Sequence, residues 1–221
     1  MREIIKPKFF LGTTNEHKIE EIRKIIEACG CELVVTESID PEETEPDFVG
    51  NAILKARVYA AYTDGMTISE DSGLIVPSLH GLPGPWSARF DDCRFDGEGH
   101  LTSHCPTGRK RTEIDLANNL RVLELMKGIE MPHRAAEFRV VLAVALPSGA
   151  IPFKAEGSSY GWIAPDMRGN EGFGYDPIFI GQETHGQTYA EIPAEWKNSI
   201  SHRRSVMDAF TGWLSRFVRQ G

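Results

Sequence analysis

The hydrophobic pattern of the first third of the chain predicts strands and helices in alternation. Lys8 to Leu11 is a short apolar run, and isoleucines at positions 19, 22, 25 and 26 then recur with the spacing of one helix face. Asn15 is placed to cap this helix and Gly30 to end it. The pattern predicts a strand, a loop and a helix, followed by a second strand from Glu32 to Thr36.

The next helix is predicted from Phe48 to Thr63, because Phe48 and three alanines recur every four residues. Lys55 lies on another face of this helix and is predicted to point away from the core. Met66 to Ser69 is predicted to be a short strand that ends in Glu70-Asp71-Ser72-Gly73. Two acids would then lie at the carboxyl end of a strand, the usual position of a site in an open α/β sheet.

The second half contains one segment without any period and several regular ones. Asp91 to Lys110 is polar and contains glycine, so we predict a loop or an insertion at about residues 91–111. A helix is predicted from Thr112 to Met126, with leucines 116, 120 and 123 on one side. Strands are predicted from Phe138 to Leu146 and near Ile151 to Glu156, and a last helix from Ser201 to Val218. We therefore predict a single α/β domain over residues 1–221, with a mixed sheet in two lobes around a cleft.

Composition and charge limit the possible partners. The 221 residues are 41% hydrophobic and 25% charged, which is ordinary for a globular chain, and the formal net charge is -8. An acidic protein is a poor ligand for a nucleic-acid polymer or an anionic membrane. The first residues contain no apolar run of signal-peptide length, and the four cysteines are too few for a disulfide scaffold. We therefore expect a cytoplasmic protein.

Four groups of polar residues are candidates for chemistry on a small anion. Thr13 to Lys18 lies between a strand and a helix, where backbone N–H groups and a lysine favour phosphate, although a simple helix cap would look alike. The acids Glu42, Glu43, Glu70 and Asp71 could hold Mg²⁺, although exposed acids of an acidic protein are usually only solvated.

The third candidate segment is rich in glycine and lies in the last quarter of the chain. Gly172 to Pro177 could bring its backbone close to a ligand and offer Phe173 for base stacking, or it could be a tight turn with core aromatics. Lys197 and Ser201 to Arg203 place cations and donors before the last helix, against its dipole. A helix cap would explain Ser201 but not the run of donors, which favours a ligand that uses them.

These segments, in this order, resemble the inosine/xanthosine triphosphate pyrophosphatases, which remove deaminated purine nucleotides. The matching motifs cover most of the chain: Thr13-x-Asn15-x-x-Lys18, Glu42-Glu43-Thr44, Asn51-Ala52-x-x-Lys55-Ala56, Glu70-Asp71-Ser72-Gly73-Leu74, Pro83-Gly84-x-x-Ser87-Ala88-Arg89, Gly172-Phe173-Gly174-Tyr175-Asp176-Pro177 and Lys197-x-x-x-Ser201-His202-Arg203. The resemblance implies a long mixed central sheet with flanking helices, a homodimer, and hydrolysis of ITP, dITP or XTP to the monophosphate and pyrophosphate.

The resemblance also implies a role for each matching position. Asp71 would be the catalytic acid that activates water, and with Glu42 or Glu43 it would hold Mg²⁺. The phosphate-binding positions would be Thr13, Thr14, Asn15, Lys18 and Lys55, with Ser72 also contacting substrate. Phe173 would stack on the purine. Gly174, Tyr175 and Asp176 would shape the base and sugar pocket, and Lys197, His202 and Arg203 would read the base.

Alternatives remain at this point. A pyrophosphatase for modified or pyrimidine nucleotides would keep the metal and phosphate residues but change Phe173 and the His202-Arg203 pair. A non-enzymatic nucleotide-binding protein would lack the acids. Within the predicted loop, Cys93, His100, His104 and Cys105 are residue types that bind zinc, but their spacing is not a standard one, which favours a surface loop or dimer contact.

Overall fold

The computed structural model describes residues 6–13, 16–37, 39 and 41–220. Their α-helices are α1 (Glu16–Ala28), α2 (Phe48–Thr63), α3 (Arg111–Leu125), α4 (Ala194–Ile200) and α5 (His202–Gln220). Their strands are β1 (Lys8–Leu11), β2 (Glu32–Val35), β3 (Thr67–Ile75), β4 (Cys93–Phe95), β5 (Leu101–His104), β6 (Ala135–Ala145), β7 (Phe153–Ile163) and β8 (Phe179–Gly181). Among these helices, none is long and apolar enough to cross a membrane.

Six of the strands form one mixed sheet in the order β2-β1-β3-β6-β7-β8. Strand β1 pairs in parallel with both β2 and β3, whereas β7 and β8 are antiparallel. Strands β4 and β5 form a separate antiparallel hairpin. The predicted α/β class, with a mixed central sheet and flanking helices, is confirmed.

The chain folds as two compact units, each assembled from separate segments. Unit 1 comprises Met1–Asp71, Val140–Gly157 and Arg203–Gly221, and unit 2 comprises Ser72–Arg139 and Ser158–His202. The core of unit 1 takes Phe9 from β1, Ile22 and Ile26 from α1, and Phe210 and Leu214 from α5, all of which are buried. The isoleucine spacing that predicted α1 is therefore the face that packs into this core.

The core of unit 2 is aromatic as well as aliphatic. Phe138 of β6 lies 4.4 Å from Phe179 and 6.0 Å from Tyr189, measured between ring centroids. Val122 and Met126, at the C-terminal end of α3, are completely buried in the same cluster. Aromatic groups of this size supply much of the apolar area that a unit of this length can bury.

Helix α2 begins and ends where the sequence predicts. The Asp47 carboxylate accepts a 2.7 Å hydrogen bond from the N–H of Gly50 and so caps the first turn. At the other end, Asp64 adopts a left-handed conformation with φ of 48° and donates its N–H to the carbonyl of Ala60. The alanines at positions 52, 56 and 60 are fully buried, which confirms the predicted core face.

Two predictions about local structure are wrong. Strand β3 does not end before Glu70 but continues to Ile75. The pair Glu70-Asp71 can lie inside a buried strand because both carboxylates have cationic partners. The segment predicted as a loop contains the hairpin β4-β5, in which Cys93 is buried and Phe95 lies 5.6 Å from the ring of Phe90. The Phe90–Phe95 contact and Arg121, whose Nη1 donates to the carbonyl of Cys93 at 2.6 Å, support the hairpin, and neither contact has a sequence period.

Candidate active site

Glu70 and Asp71 are neighbours inside β3, where successive side chains point to opposite faces. They are 8% and 7% exposed, so both carboxylates have left bulk water. A buried carboxylate must find cations or donors, and each of these acids has its own set. The prediction that both acids lie at the end of a strand is wrong, because β3 continues past them to Ile75. Both acids nevertheless belong to the candidate site.

Asp71 faces the lysine of α2. Its Oδ1 accepts a hydrogen bond from Nζ of Lys55 at 2.8 Å, and the same nitrogen donates to Oε1 of Glu43 at 2.6 Å. The second oxygen of Asp71, Oδ2, is buried and has no hydrogen-bond partner. Burial raises the pKa of Asp71 to about 6, with the charge of Glu43 acting in the same direction and Lys55 opposing both. The carboxyl group is therefore poised to exchange a proton near neutral pH.

Lys55 stays charged in this environment. Burial alone lowers the pKa of its ammonium group, but the carboxylates of Asp71 and Glu43 raise that pKa by more, so the net shift is upwards. Glu43 is half-buried, whereas Glu42 is exposed and has its side chain in solvent. Of the two acids before α2, the structure thus brings Glu43 to Lys55, the residue that Asp71 also contacts.

Glu70 receives two cations on one oxygen. Nζ of Lys18, in the first turn of α1, lies 2.7 Å from its Oε1, and Nη1 of Arg203, at the start of α5, lies 2.5 Å from the same atom. Oε2 of Glu70 is buried without a hydrogen-bond partner. Burial raises the pKa of Glu70, but Arg203 and Lys18 together outweigh it and hold that pKa well below the usual range. Glu70 is therefore a permanent anion.

Lys18, the partner of Glu70, and Lys55, the partner of Asp71, line one small cavity in unit 1. It has a volume of about 110 Å³ and is lined by Thr13, Lys18, Lys55 and Glu70, among others. Gly12 also lines it, and a Cβ at this position would lie 2.2 Å from the ring of Tyr59, so only glycine fits. Thr14 and Asn15, predicted phosphate contacts, lie outside the described residues, as does the predicted Asn15 cap.

The glycine-rich loop of unit 2 is built around Asp176. Its Oδ2 accepts a 2.8 Å hydrogen bond from the N–H of Phe173 and another from Nζ of Lys197. A Cβ on Gly172, whose φ is +74°, would lie 2.0 Å from this oxygen, so the turn requires glycine. Burial raises the pKa of Asp176, against the opposing effect of Lys197. The Lys197 ammonium also lies 4.6 Å from the centroid of the Phe173 ring.

Phe173 and Tyr175, two residues apart, have opposite environments. The Phe173 side chain is 43% exposed, as a stacking platform has to be. Tyr175 is buried, and its hydroxyl donates to the backbone carbonyl of Ser87 at 2.9 Å. Burial raises the pKa of Tyr175 well above its usual value, so the hydroxyl remains protonated. Tyr175 thus anchors the loop, and Gly174 between the two has a φ of +61°.

The residues predicted to read the base are divided between the units. In unit 2, the ring of His202 is stacked on Phe138, with centroids 5.1 Å apart and planes at 18°. Arg203 belongs to unit 1, where it binds Glu70. Ser72 is half-buried, immediately after Asp71 in β3.

Sequence reasoning missed two residues that organise these clusters. Glu70 was recognised only as part of an acidic pair, not as the partner of Lys18 and Arg203. Asn119 of α3 was not recognised at all, although its amide binds the carbonyl of Gly174 at 2.7 Å. Two consecutive asparagines inside a helix, at positions 118 and 119, are unusual enough to be a signal, because asparagine is a weak helix former.

Few of the described side chains are grouped so that they could bind a metal ion. Among the described residues, His, Cys, Asp and Glu side chains form no group of three that could hold a metal ion. The hypothetical zinc ligands form no such group: Cys93 and His104 are cross-strand partners in the β4-β5 hairpin, but Cys105 is exposed and Nδ1 of His100 lies 3.3 Å from Asp96. Glu43 and Asp71 remain as a pair of carboxylates on one cation.

Comparison with known proteins gives a consistent result. The Ham1 family model matches residues 9–213. A dITP/XTP pyrophosphatase from Desulforamulus reducens is 40% identical over 95% of this chain and 96% of its own, and one from Bacillus subtilis is 38% identical over 92% and 95%. The solved structure of a HAM1 protein from Coxiella burnetii is 29% identical, with a TM-score of 0.78 over 95% of this chain and 99% of that one.

Proposed function

The chain belongs to the Ham1 family, and from that premise we propose that it hydrolyses non-canonical purine nucleoside triphosphates such as dITP, ITP and XTP. The products are the nucleoside monophosphate and pyrophosphate. Relatives that match nearly the whole chain are named dITP/XTP pyrophosphatases. The observation that carries the proposal is the buried Asp71 beside Lys55, in a unit whose cavity is lined by Lys18 and Lys55.

Asp71 takes the proton of the attacking water in this mechanism. A carboxyl group with a pKa of about 6 is mostly ionised at neutral pH yet basic enough to accept a proton, which is the compromise that general base catalysis requires. Water then adds to phosphorus, and the bond between the α- and β-phosphates breaks with pyrophosphate as the leaving group. Asp71 is thus the catalytic residue of the proposal.

Lys18 and Lys55 bind the phosphates, together with Thr13 and the loop through Thr14 and Asn15. Phosphoryl transfer depends mainly on positioning and on neutralising charge on the phosphate oxygens, which two ammonium groups beside one cavity can do. The cavity is too small for a whole nucleotide, so we assign it to one phosphate group. Ser72 contributes a further contact.

Mg²⁺ is the cofactor that fits the acids of unit 1. Asp71 has a buried oxygen without a partner, and Glu43 shares a cation with it, so two carboxylates can supply oxygen ligands. Mg²⁺ is commonly held by one or two carboxylates together with water and substrate phosphates. Glu43 is preferred over the exposed Glu42. When bound, the ion supplies charge neutralisation on the phosphate oxygens.

The base is recognised through stacking and hydrogen bonding. Phe173 provides the exposed ring, and Gly174, Tyr175 and Asp176 fix the loop that carries it. Lys197, His202 and Arg203 provide donors for the 6-oxo group of a deaminated purine. Adenine has an amino donor at this position and would leave those donors unpaired, which can produce discrimination of about 10⁴-fold.

We also propose a cytoplasmic homodimer. The cysteines at positions 29, 31, 93 and 105 are all free, in keeping with a reducing compartment. Leu116, Leu120 and Leu125 of α3 are each close to half exposed, which supports a second copy covering apolar surface. Light scattering of the purified protein tests the dimer.

A substrate panel tests the activity. Purified protein with Mg²⁺ is incubated with dITP, ITP and XTP and with dATP, dGTP and dCTP, and the products are separated by chromatography. We expect monophosphate and pyrophosphate from the first three, at rates far above those from dATP and dCTP. Guanine also carries a 6-oxo group, so the rate with dGTP measures how far the 2-position of the purine is recognised. Release of orthophosphate with a diphosphate, or equal rates for dATP and dITP, would contradict the proposal. The Asp71→Asn variant purified in parallel controls for contaminating phosphatases.

A further inference from the structure

Asn119 is a buried polar residue outside every motif that suggested the function. It lies in the middle of α3, within unit 2, and is 2% exposed. Its Nδ2 donates to the carbonyl of Gly174 and to the carbonyl of Asp115, each at 2.7 Å. A helix side chain thus holds the backbone of the glycine-rich loop directly.

The orientation of this amide follows from its neighbours. Both carbonyl oxygens are acceptors, so the nitrogen of the amide must face them and the oxygen must point elsewhere. That oxygen, Oδ1, is buried and has no hydrogen-bond partner. Burial of an acceptor without a partner costs free energy, and the hydrogen bonds of the amide nitrogen have to offset that cost.

Of those two bonds, the one to Gly174 is the informative one. The Asp115 carbonyl is four residues earlier in the same helix and already has the N–H of residue 119 as its helical partner. The carbonyl of Gly174 lies in a loop, and its bond to Asn119 joins that loop to α3.

The bond to Gly174 completes a set of anchors around Phe173. On one side, the N–H of Phe173 is held by Asp176. On the other, Gly174 is held by Asn119, and Tyr175 is fixed through its hydroxyl to Ser87. Phe173 is exposed between these fixed points, and Gly174 has a φ of +61° that leaves the loop free to change shape when the anchor is lost.

We propose that Asn119 is a positioning residue that orients Phe173 for stacking on the purine. This inference rests on the proposed function, in which Phe173 contacts the base. Loss of the anchor should weaken interactions with the base while leaving those with the phosphates, which unit 1 provides, unchanged.

The experiment compares Asn119→Leu with wild type and with a matched control. Leucine keeps the volume of the side chain and removes the donor. Thr184→Val is the control, because Thr184 is fully buried in unit 2 and donates to the carbonyl of Gly181 at 2.9 Å, in a turn that belongs to no site segment. Asn119→Ala is the second variant if the leucine variant does not fold.

Two binding readouts separate the base from the phosphates. We expect Asn119→Leu to raise the KM for dITP about tenfold, because without this buried hydrogen bond only about a tenth of the molecules would hold the loop in its binding conformation. The inhibition constant of inorganic tripolyphosphate, which has no base, should stay within about twofold of wild type on the same reasoning. Thr184→Val should change neither. A KM for dITP like that of wild type, or a parallel rise in both constants, overturns the proposal.

Hydrogen exchange tests the anchor without any substrate. In the free protein, amides of residues 172–176 should exchange faster in Asn119→Leu than in wild type or Thr184→Val, because the loop has lost one fixed point. Equal exchange in this segment would refute the anchoring role. If wild-type protein does not hydrolyse dITP, the proposed function fails, whereas the exchange result still decides whether Asn119 holds the loop.

Discussion

Nζ of Lys55 lies 2.8 Å from Oδ1 of Asp71 and, at the same time, 2.6 Å from Oε1 of Glu43. One ammonium group therefore balances two carboxylates in a partly buried place. The balance is incomplete, which is why burial and Glu43 raise the pKa of Asp71 despite its direct contact with a cation. Oδ2 of Asp71, which has no hydrogen-bond partner, could bind a second cation at this site.

Replacing Asp71 by asparagine should abolish turnover without unfolding the protein. The variant loses the general base, an effect of roughly 10²- to 10⁴-fold. It should be no less stable than wild type at pH 8, because the folded state disfavours the ionised carboxylate and Lys55 keeps Glu43 as a partner. Pyrophosphate release at saturating Mg²⁺ and thermal unfolding measure the two effects. Asp208→Asn, at an exposed ion pair of α5, is the control, and near wild-type turnover of Asp71→Asn would exclude the role.

The pH dependence of kcat/KM should have an acidic limb near pH 6. The ratio kcat/KM reports the free enzyme, in which Asp71 must be ionised to accept a proton. Without Mg²⁺ its pKa is raised from 3.8 to about 6, so activity should fall as pH decreases through that value. Lys55→Met removes the cation that favours the ionised form and should move the limb to higher pH. Rate profiles of both proteins between about pH 5 and 9 test this expectation. A limb at the same pH in both proteins would show that Asp71 is not the group that titrates.

The elements of this fold were predicted best where one physical pattern dominated. The four-residue repeat from Phe48 to Ala60 predicted α2 with its bounds, and the apolar run at Lys8 predicted β1. The extent of β3 was not predictable, since a buried Glu70-Asp71 pair is stable only because Lys18, Lys55 and Arg203 reach it from distant parts of the sequence. Such partners have no local signature.

The buried face of helix α3 was not predictable from the sequence either. Leu116 and Leu120, on the predicted apolar side, are 49% and 53% exposed, whereas the buried residues are Asn118, Asn119 and Val122. The amides of Asn118 and Asn119 donate to the backbone carbonyls of Ser87 and Gly174, so the inner face of α3 is a polar one. The motifs predict a site because they contain the charged residues, whereas Asn119 of α3, which supports the glycine-rich segment, belongs to no motif.

Lys18→Ala and Lys55→Ala should each weaken hydrolysis of every triphosphate, whatever its base. Each variant loses one charged contact to phosphate, typically worth about 1.5–3 kcal/mol in kcat/KM. Lys24→Ala is the matched control, because Lys24 lies on α1 like Lys18 but has a side chain that is 74% exposed. Steady-state kinetics with dITP and XTP measure the effect. Wild-type kinetics in both site variants would place the phosphates elsewhere.

Glu70→Gln should destabilise the protein far more than an exposed variant of the same kind. Glutamine keeps one acceptor oxygen but loses the charge, so Lys18 and Arg203 would lose the carboxylate that they share. Removing one charged partner of a buried pair typically costs about 3–5 kcal/mol. Glu156→Gln, at the exposed pair with Lys154, should cost less than about 1 kcal/mol.

The pH dependence of that loss identifies its origin. The pKa of Glu70 is lower in the folded protein than the ordinary 4.5, so its charge contributes stability above pH 4.5, and this contribution is lost as pH falls towards the folded-state pKa. The stability difference between wild type and Glu70→Gln, measured by urea unfolding, should therefore be greatest at neutral pH and shrink below pH 4.5. A difference that does not change with pH would mean that the charge of Glu70 is not what makes this residue necessary, because the contribution of that charge must titrate with the carboxyl group.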